Sequence, residues 1–224
     1  MARPFVRSFE TKDKDEMVVI FMETADPVLA SKGPEALRIG AHTYCIPYFI
    51  LQPENCFVID DGTGRAVGYV IGTPDNRNFV KQWREKYIPL LQDQGISKPD
   101  VGDDGPLSEM MLNAHSPEEK LLEPPVKELL KDFLGHLHID IRPVWQRQGF
   151  GVQLMDAFLN HVAQQGCKGV HLGMLAANDG AERFYLRLGF GRFPHVLDGG
   201  KSGEQGRDGH VVYMVKTLVD VAFL

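Results

Sequence analysis

One glycine-containing segment carries the clearest chemical signal in this sequence. It comprises Gln146, Arg147, Gln148, Gly149, Phe150 and Gly151. It lies between a strand-like run, residues 136–141, and an amphipathic helix that begins near Gly149. Glycines let a loop backbone approach an anion closely, and a helix N-terminus adds unpaired N–H groups and the positive end of the helix dipole. We therefore expect the N–H groups of residues 147–151 to hold a pyrophosphate, with the Gln146 and Arg147 side chains as further donors.

Two common phosphate-binding loops do not fit this segment. The loop of nucleoside triphosphatases needs Lys and then Ser or Thr after its second glycine, whereas Gly151 is followed by Val152 and Gln153. A dinucleotide-binding loop needs a third glycine, where this sequence has Leu154. It also needs an acidic residue at the end of the next strand, which here ends at Leu175. Both interpretations are excluded.

The remaining pattern, Gln-x-x-Gly-x-Gly after a strand and Pro143, resembles the acetyl-CoA loop of the GNAT superfamily of N-acetyltransferases. A second segment, residues 178–190, is similar to the GNAT pattern Asn-x-x-Ala-x-x-Phe-Tyr-x-x-x-Gly-Phe. Helix formation alone accounts for Asn178 as an N-cap and for Gly189 as a left-handed terminator. It does not account for Tyr185 at this distance from an anion-binding loop one strand earlier. The two segments together therefore indicate a GNAT-like protein.

This resemblance implies a fold, a co-substrate and several residue roles. The fold would be α/β (α+β), a GNAT-like mixed central β-sheet flanked by helices on both faces, and the co-substrate would be acetyl-CoA. The Ile141 backbone would pair with the pantetheine amides, Asn178 would contact the pantetheine arm, and Tyr185 would protonate the departing thiolate. The sequence is also similar to stand-alone bacterial and fungal acetyltransferases related to the C-terminal acetyltransferase-like domain of O-GlcNAc hydrolases.

Acetyl transfer to an amine also needs a proton acceptor, because an alkylammonium with the pKa of lysine, about 10.4, is protonated at neutral pH. His136, His138 and Asp140 alternate with apolar residues, so they share one face of the strand unless a bulge intervenes. We expect this face to be the acceptor side, with Asp140 as the base and His138 as an alternative base or proton relay. The same three residues could instead form a hydrogen-bonded core network. A His-x-His pair alone is a weak metal motif, so no metal is expected.

Composition limits the classes of protein that this sequence can be. The 43% hydrophobic and 24% charged residues, with a net charge of -6, are ordinary for a soluble globular protein and argue against a nucleic-acid partner. Three cysteines, Cys45, Cys56 and Cys167, are too few for a disulfide scaffold and favour the cytoplasm or the nucleus.

Cys167 is interpreted as structural, which favours direct acetyl transfer over a route through an acyl-cysteine intermediate. No signal peptide or membrane-spanning run is evident, so no membrane partner is expected.

The 224 residues are predicted to form a single acetyltransferase domain, 1–224. The predicted strands are residues 4–9, 56–60, 66–72, 136–141, 169–175 and 211–217, with a further hairpin at 199–209. The predicted helices are residues 13–24, 44–52, 149–165 and 178–188. The inward side chains of helix 149–165 are predicted to be Val152, Met155, Phe158, Leu159 and Val162. A loop carrying Pro27, Gly33 and Pro34 is expected before residue 44, and the C-terminal strand is expected at an exposed sheet edge.

Residues of about 73–132 interrupt this pattern and are interpreted as an insertion. It is predicted to contain a helix at 79–91, a polar Gly- and Pro-rich segment at 94–106, and a helical segment at 117–134 broken at Pro124 and Pro125. A long insertion in a compact domain is usually functional or mobile, and we expect this one to cap the acceptor site. Candidate lining residues are Tyr44, Tyr48, Phe49, Trp83 and Tyr87.

Two functions remain open at the level of sequence. The first is an acetyl-CoA-dependent N-acetyltransferase that transfers acetyl directly to an amine of a small molecule, an amino sugar or a protein lysine. The second is a non-catalytic acyl-CoA-binding regulatory module. The acceptor is not determined by the motifs, and the protein is expected to be a monomer or a homodimer.

Overall fold

The computed structural model describes residues 3–100, 102–105, 107–123, 126–193 and 211–218. Its strands are β1 (Phe5–Ser8), β2 (Phe57–Asp60), β3 (Ala66–Thr73), β4 (Gly135–Ile141), β5 (Gly169–Leu175), β6 (Gly191–Arg192) and β7 (Val211–Thr217). They form one sheet in the order β1-β2-β3-β4-β5-β7-β6. Neighbouring strands are antiparallel except β4 and β5, which are parallel. The predicted mixed sheet is confirmed.

Helices occupy most of the remaining described chain. The α-helices are α1 (Lys14–Thr24), α2 (Pro27–Ser31), α3 (Pro34–Tyr44), α4 (Ile46–Leu51), α5 (Asn76–Gln82), α6 (Ile88–Asp93), α7 (Ser108–His115), α8 (Pro117–Leu121), α9 (Phe150–Gln164) and α10 (Asp179–Arg187). Short 3-10 turns occur at Thr11–Asp13, Pro53–Asn55, Val126–Lys131 and Pro143–Trp145, and a π-helical turn at Trp83–Tyr87 joins α5 to α6.

The sheet separates two hydrophobic cores. Tyr69 and Ile71 of β3 pack in a core with side chains of α1, α3, α4 and the α5–α6 segment. Val70, between them in sequence, packs in a second core with α9 and α10. Because successive strand residues point to opposite faces, the two cores lie on opposite sides of the sheet. The expectation of helices on both faces is confirmed.

The loop predicted around Pro27, Gly33 and Pro34 was wrong, because α2 and α3 occupy this region. Both prolines stand at the first turn of a helix, where the missing N–H would have no partner in any case. Asp26 caps α2 by accepting hydrogen bonds from the backbone N–H groups of Val28 and Leu29. A proline can therefore mark the start of a helix as readily as a break.

The insertion is mostly helical where the structure describes it. Phe79, Trp83, Tyr87 and Leu91 recur every four residues, a spacing that drifts by about 40° per step around a 3.6-residue helix. The π-helical turn widens the helix at this point, and all four side chains are buried. Helix α7 was not predicted. Residues 117–134 contain α8 and a 3-10 turn, and the predicted break at Pro124 and Pro125 lies outside the described residues.

The amphipathic helix α9 confirms most of the predicted inward side chains, with one correction. Met155, Phe158, Leu159 and Val162 are buried, but Val152 is 42% exposed and Leu154 takes the buried position in the first turn. The buried face of α9 was therefore predicted wrongly only near the start of the helix. The helix ends at Gln164, and Gly166, the predicted stop, follows it with a φ of 85°.

The C-terminal strand β7 lies inside the sheet and not at its exposed edge, whereas residues 219–224, expected to form an edge segment, lie outside the described residues. Strand β7 pairs with β5 on one side and with the two-residue strand β6 on the other. The short β6 was not predicted. The hairpin expected at residues 199–209, and the chain after residue 218, lie outside the described residues.

Candidate active site

The loop before α9 has the backbone geometry of an anion-binding turn. Gly149 adopts a left-handed φ of 87° and precedes the first residue of α9. A β-carbon at Gly149 would meet no atom within 4 Å, so its backbone conformation is what requires glycine there. In the described part of the chain, no acceptor is found for the backbone N–H groups of residues 147–152. These donors are available to an anion.

The second glycine of the loop serves packing. A β-carbon on Gly151 would lie 3.1 Å from the Phe184 ring and 3.6 Å from Ile141. Gly151 therefore lets the first turn of α9 approach α10 closely. This requirement links the two sequence segments that resemble the GNAT patterns, because Phe184 belongs to the second of them.

Two glutamine side chains hold the loop in shape. Gln146 donates its amide to the Ile141 carbonyl at 2.8 Å, and Gln148 donates to the Val144 carbonyl at 2.8 Å. Gln146, predicted as a pyrophosphate donor, is thus engaged with the end of β4. Arg147 is exposed, has a φ of 58° and makes no hydrogen bond or ion pair with the described residues. A left-handed non-glycine residue is strained, and such strain is concentrated at functional sites.

A buried ion network anchors the start of this loop. Arg142, which follows β4 directly, is 8% exposed and donates to Glu23 at 2.7 Å and to Glu16 at 3.0 Å. Both glutamates belong to α1. The network therefore fixes the end of β4 against the helix that flanks the acceptor face.

Strands β4 and β5 pair only at one end and then separate. Their register comprises Gly135 with Val170 and His136 with His171. Just after β4, Arg142 donates its backbone N–H to the Val67 carbonyl of β3. Alternate residues of β4 therefore bond to β3, and the intervening ones face β5. The backbone groups of Ile139 and the N–H of Ile141 consequently lie along an unpaired strand edge. Such an edge can pair with the amides of an extended ligand.

The prediction that His136, His138 and Asp140 share one face of β4 is confirmed. No register shift occurs between β3 and β4, and His136 and His138 lie side by side with ring centroids 4.7 Å apart. The Tyr48 hydroxyl lies 3.0 Å from His136 Nδ1 and 3.2 Å from His138 Nε2. One hydroxyl proton can be donated to only one of these rings, so the hydroxyl accepts from the other. The two histidines are therefore parts of one hydrogen-bonded network.

Asp140 lies on the same face and has its own buried partner. The Tyr69 hydroxyl donates to Asp140 Oδ2 at 2.6 Å. Burial raises the pKa of Asp140 above its ordinary value, while hydrogen bonds from Tyr69 and Thr24 act in the opposite direction. A carboxylate whose pKa is raised is a better proton acceptor than an exposed aspartate.

Three histidines in the same cavity wall as Asp140, which are His136, His138 and His171, are uncharged at neutral pH. Burial lowers the pKa of His138 and of His171 to about 4. It lowers the pKa of His136 well below the ordinary value, and the neighbouring histidines act in the same direction. The polar face therefore presents neutral rings together with one carboxyl group.

Tyr185 lies on the other side of the sheet from this face. Its ring is 8% exposed and packs 5.2 Å from the Phe184 ring and 5.6 Å from the Phe190 ring. Burial raises the pKa of Tyr185, and the charge of Asp140 adds a smaller contribution in the same direction. The phenol is thus protonated at neutral pH and electrostatically close to Asp140. Tyr185 shares its core with Ile139 and Ile141, the residues at the unpaired edge of β4.

Asn178 caps α10, as helix chemistry predicts. Its Oδ1 accepts a hydrogen bond from the Ala181 backbone N–H at 3.0 Å, and the residue is exposed. The helix ends at Gly189, which has a φ of 79°. The cap places Asn178 just after β5, at the end of the strand that has separated from β4.

A cavity of about 540 Å³ opens over the polar face. His136, His138, Asp140 and His171 line one wall, and the insertion contributes a second group, Trp83, Met110, Asn113, Pro117, Lys120 and Leu121. Of the predicted lining residues, Tyr44, Tyr48 and Trp83 line this cavity. Phe49 and Tyr87 do not, because they lie beside a smaller cavity of about 390 Å³ near His42.

A metal site, a reactive cysteine and a membrane span are three further features that can be checked in the described residues. Within them, no group of three or more His, Cys, Asp or Glu side chains is arranged to hold a metal ion. Cys167 is buried, and its thiol lies 3.3 Å from the Gly169 carbonyl, with a pKa raised by burial. Among the helices described, none is long and apolar enough to cross a bilayer.

Sequence reasoning missed Tyr69 and Thr24, which set the environment of Asp140. Tyr69 faces Asp140 directly across the pair formed by β3 and β4. The signal was present in the alternation of the two strands, but it could be used only once their register was known. The sequence patterns also did not identify His171 as a cavity residue.

Comparisons with known proteins agree with this geometry. Residues 122–190 match the model of the Acetyltransferase (GNAT) family. A solved structure named SsHAT is 32% identical, with 97% of this chain and 99% of that chain covered and a TM-score of 0.79. The NatC complex bound to Gag peptide and CoA shares the fold, with 10% identity, a TM-score of 0.52 and coverage of 97% and 99%.

A curated relative, protein O-GlcNAcase of Rattus norvegicus, is 28% identical over 142 residues. The match covers 62% of this chain and 15% of that protein, so this chain corresponds to a small part of it. The loop before α9, the separating β4 and β5 strands, the matched family model and the similarity to SsHAT together lead to one assignment. The chain belongs to the GNAT acetyltransferase family.

Proposed function

We propose that this protein transfers the acetyl group of acetyl-CoA directly to the amine of a small molecule. One observation carries the proposal. The unpaired edge of β4 lies between a loop with free backbone N–H groups and a cavity that contains the partly buried carboxyl group of Asp140. A cofactor bound at the loop and extended along this edge would bring its thioester to the cavity.

The loop would bind the pyrophosphate of CoA. The N–H groups of residues 147–152 supply neutral donors at the positive end of the α9 dipole, and the Arg147 side chain adds a positive charge. The pantetheine arm would pair with Ile139 and with the N–H of Ile141. Pairing with the Ile141 carbonyl would require Gln146 to share that oxygen or to move away, since Gln146 now donates to it. Asn178 would contact the arm from the opposite strand.

Asp140 would act as the general base. The amine nitrogen attacks the acetyl carbonyl, the new C–N bond forms, the C–S bond breaks, and the amine proton passes to Asp140 directly or through water. Tyr69 donates to one carboxylate oxygen, Oδ2, and so fixes the orientation of the carboxylate toward the cavity. His138 is less suited to be the base, because a pKa of about 4 gives it little affinity for a proton at neutral pH. It would instead orient the amine together with Tyr48.

Tyr185 would give its proton to the departing thiolate. Asp140 faces the cavity, whereas Tyr185 lies in the core on the other side of the sheet. The gap between β4 and β5 lies between them. An acid and a base on opposite sides of the thioester would match the two proton transfers that the reaction needs.

The cavity favours a small-molecule acceptor over a protein lysine. A volume of about 540 Å³ is typical of small-molecule sites, and the insertion forms part of its wall. The aromatic side chains Tyr44, Tyr48 and Trp83 provide the apolar surface that such a site uses.

The test is to mix the full chain with acetyl-CoA and a panel of amines, and to follow free thiol and the acetylated product by mass spectrometry. Thiol release that depends on an amine, with formation of the N-acetyl product, is expected. CoA binding with no release above hydrolysis for any amine would contradict the proposal and favour the regulatory module. Acetylation of peptide lysines in preference to all small amines would contradict the acceptor class alone.

A further inference from the structure

His171 presents an unused hydrogen-bond acceptor in the wall of the large cavity. The residue is 1% exposed, and its Nδ1 lies 2.8 Å from the Phe133 carbonyl oxygen. Because a carbonyl can only accept, Nδ1 carries the proton. The ring is neutral, since burial lowers the pKa of His171 to about 4 despite the nearby Phe133 and Gly135 carbonyls. Nε2 therefore bears a free lone pair.

That lone pair has no donor among the described residues. The side-chain Nε2 of His171 is buried and without a hydrogen-bond partner. The neighbouring rings differ in this respect, because His136 and His138 share the Tyr48 hydroxyl. A buried acceptor without a donor is unfavourable, so its presence in a cavity wall points to a ligand that supplies the donor.

His171 lies at the opposite end of the cavity from Asp140. It is in register with His136, and the two rings are stacked with centroids 5.0 Å apart. Asp140 is four positions after His136, which corresponds to about 13 Å along the extended β4 strand. A molecule that reaches both groups must be elongated.

The charges around the cavity indicate that the donor is neutral. The charged lining residues are Asp26, Lys32, Lys120 and Asp140. None of them contributes to the pKa shift of His171, and the rings beside it are neutral histidines. An ammonium placed next to His171 would therefore be buried without a counter-charge, which is costly. A hydroxyl or an amide N–H carries no such penalty.

We propose that His171 Nε2 accepts a hydrogen bond from an uncharged donor at the far end of the acceptor amine. The preferred acceptors are then elongated amino alcohols, including amino sugars, rather than plain alkylamines or diamines. This inference rests on the proposed function, because it takes Asp140 as the position of the amine.

The first test compares amines that share one six-carbon chain, on the unaltered protein. Aminohexanol, methoxyhexylamine, hexylamine and diaminohexane are titrated calorimetrically into the protein in the presence of CoA. Aminohexanol is expected to bind about tenfold more tightly than the others, because only it provides a neutral donor to a site that would otherwise keep an unpaired acceptor. Equal binding of the methyl ether, or tighter binding of the diamine, would overturn the inference.

The second test changes the histidine. His171→Phe keeps an aromatic ring beside His136 and removes the acceptor, so the advantage of aminohexanol over hexylamine should vanish. His161→Phe is the matched control, since His161 also has a buried Nε2 without a partner but does not line the cavity. An advantage that survives His171→Phe would overturn the inference. If this variant does not fold, the hydroxyl-against-ether comparison on the unaltered chain decides the matter.

Thiol release measured on the same four amines separates this inference from the proposed function. A calorimetric preference for aminohexanol without thiol release would support the His171 site and contradict the transferase. Thiol release from all four amines without any preference in binding would support the transferase and contradict the site.

Discussion

The two sides of the gap between β4 and β5 are built in different ways. The proposed cofactor side consists of consecutive residues, 146–151, whose contribution is mainly backbone N–H groups and one left-handed glycine. The proposed acceptor side consists of side chains that are distant in sequence, with 71 positions between Tyr69 and Asp140 and 88 between Tyr48 and His136. Substitutions on the first side should therefore change binding through backbone conformation. Substitutions on the second should change chemistry and selectivity.

The largest effect is expected at the acceptor carboxylate. Asp140→Asn keeps an oxygen that can accept from Tyr69 but removes the proton acceptor, so kcat should fall by about 10²–10³-fold. CoA affinity, measured by calorimetry, should be unchanged. Asp156→Asn on the exposed face of α9 is the matched control and should keep full activity. Loss of CoA binding in Asp140→Asn would show that the two sides are not separable in this way.

The cofactor side can be tested with two glycines at opposite ends of α9. Gly149 and Gly166 have φ values of 87° and 85°, and a β-carbon at either would meet no atom within 4 Å. Alanine at either position should lower the free energy of unfolding by about 1–2 kcal/mol, because the left-handed conformation is strained.

Only Gly149→Ala should also weaken CoA binding, by about tenfold, since it alone distorts the donors of the loop. Denaturant unfolding and calorimetry on both variants give the two measurements. Equal loss of CoA affinity in Gly166→Ala would contradict the assignment of the loop as the anion site.

A smaller effect is expected at Tyr185. Tyr185→Phe keeps the ring packing on Phe184 and Phe190 and removes the acidic proton. A thiol has a pKa near 8.5, so its anion is a fair leaving group, and kcat should fall by only about tenfold. Steady-state kinetics with a saturating amine measure this, with Tyr87→Phe as a control outside the large cavity. An unchanged kcat would mean that the thiolate leaves without help from this phenol.

The smallest change is a shift in pH dependence. A base must be deprotonated, so kcat/KM should fall as the pH drops through the raised pKa of Asp140. The Tyr69 hydrogen bond lowers this pKa, and Tyr69→Phe should therefore move the acid limb to higher pH. The histidines with pKa values of about 4 should add no inflection near pH 6.5. A shift of the acid limb to lower pH would contradict the role of Asp140.

Much of the fold was predictable because its signals are local. Strands β2 and β3 match the predicted ranges 56–60 and 66–72 closely, and Gly62 and Gly64 in the turn between them have positive φ. Helices α9 and α10 were placed from their apolar periodicity and terminal glycines. Helices α2 and α3 were missed because a proline signals both helix starts and loops, and only packing distinguishes the two.

The sequence by itself determined the glycine turn before α9, the N-cap at Asn178 and the shared face of His136, His138 and Asp140. Each depends on residues within a few positions of one another, so backbone stereochemistry and strand alternation suffice. Only the tertiary structure decided that Tyr69 supports Asp140, that Tyr48 joins two histidines, and that His171 keeps a free acceptor. These contacts depend on strand register and on the path of distant helices, which no local pattern specifies.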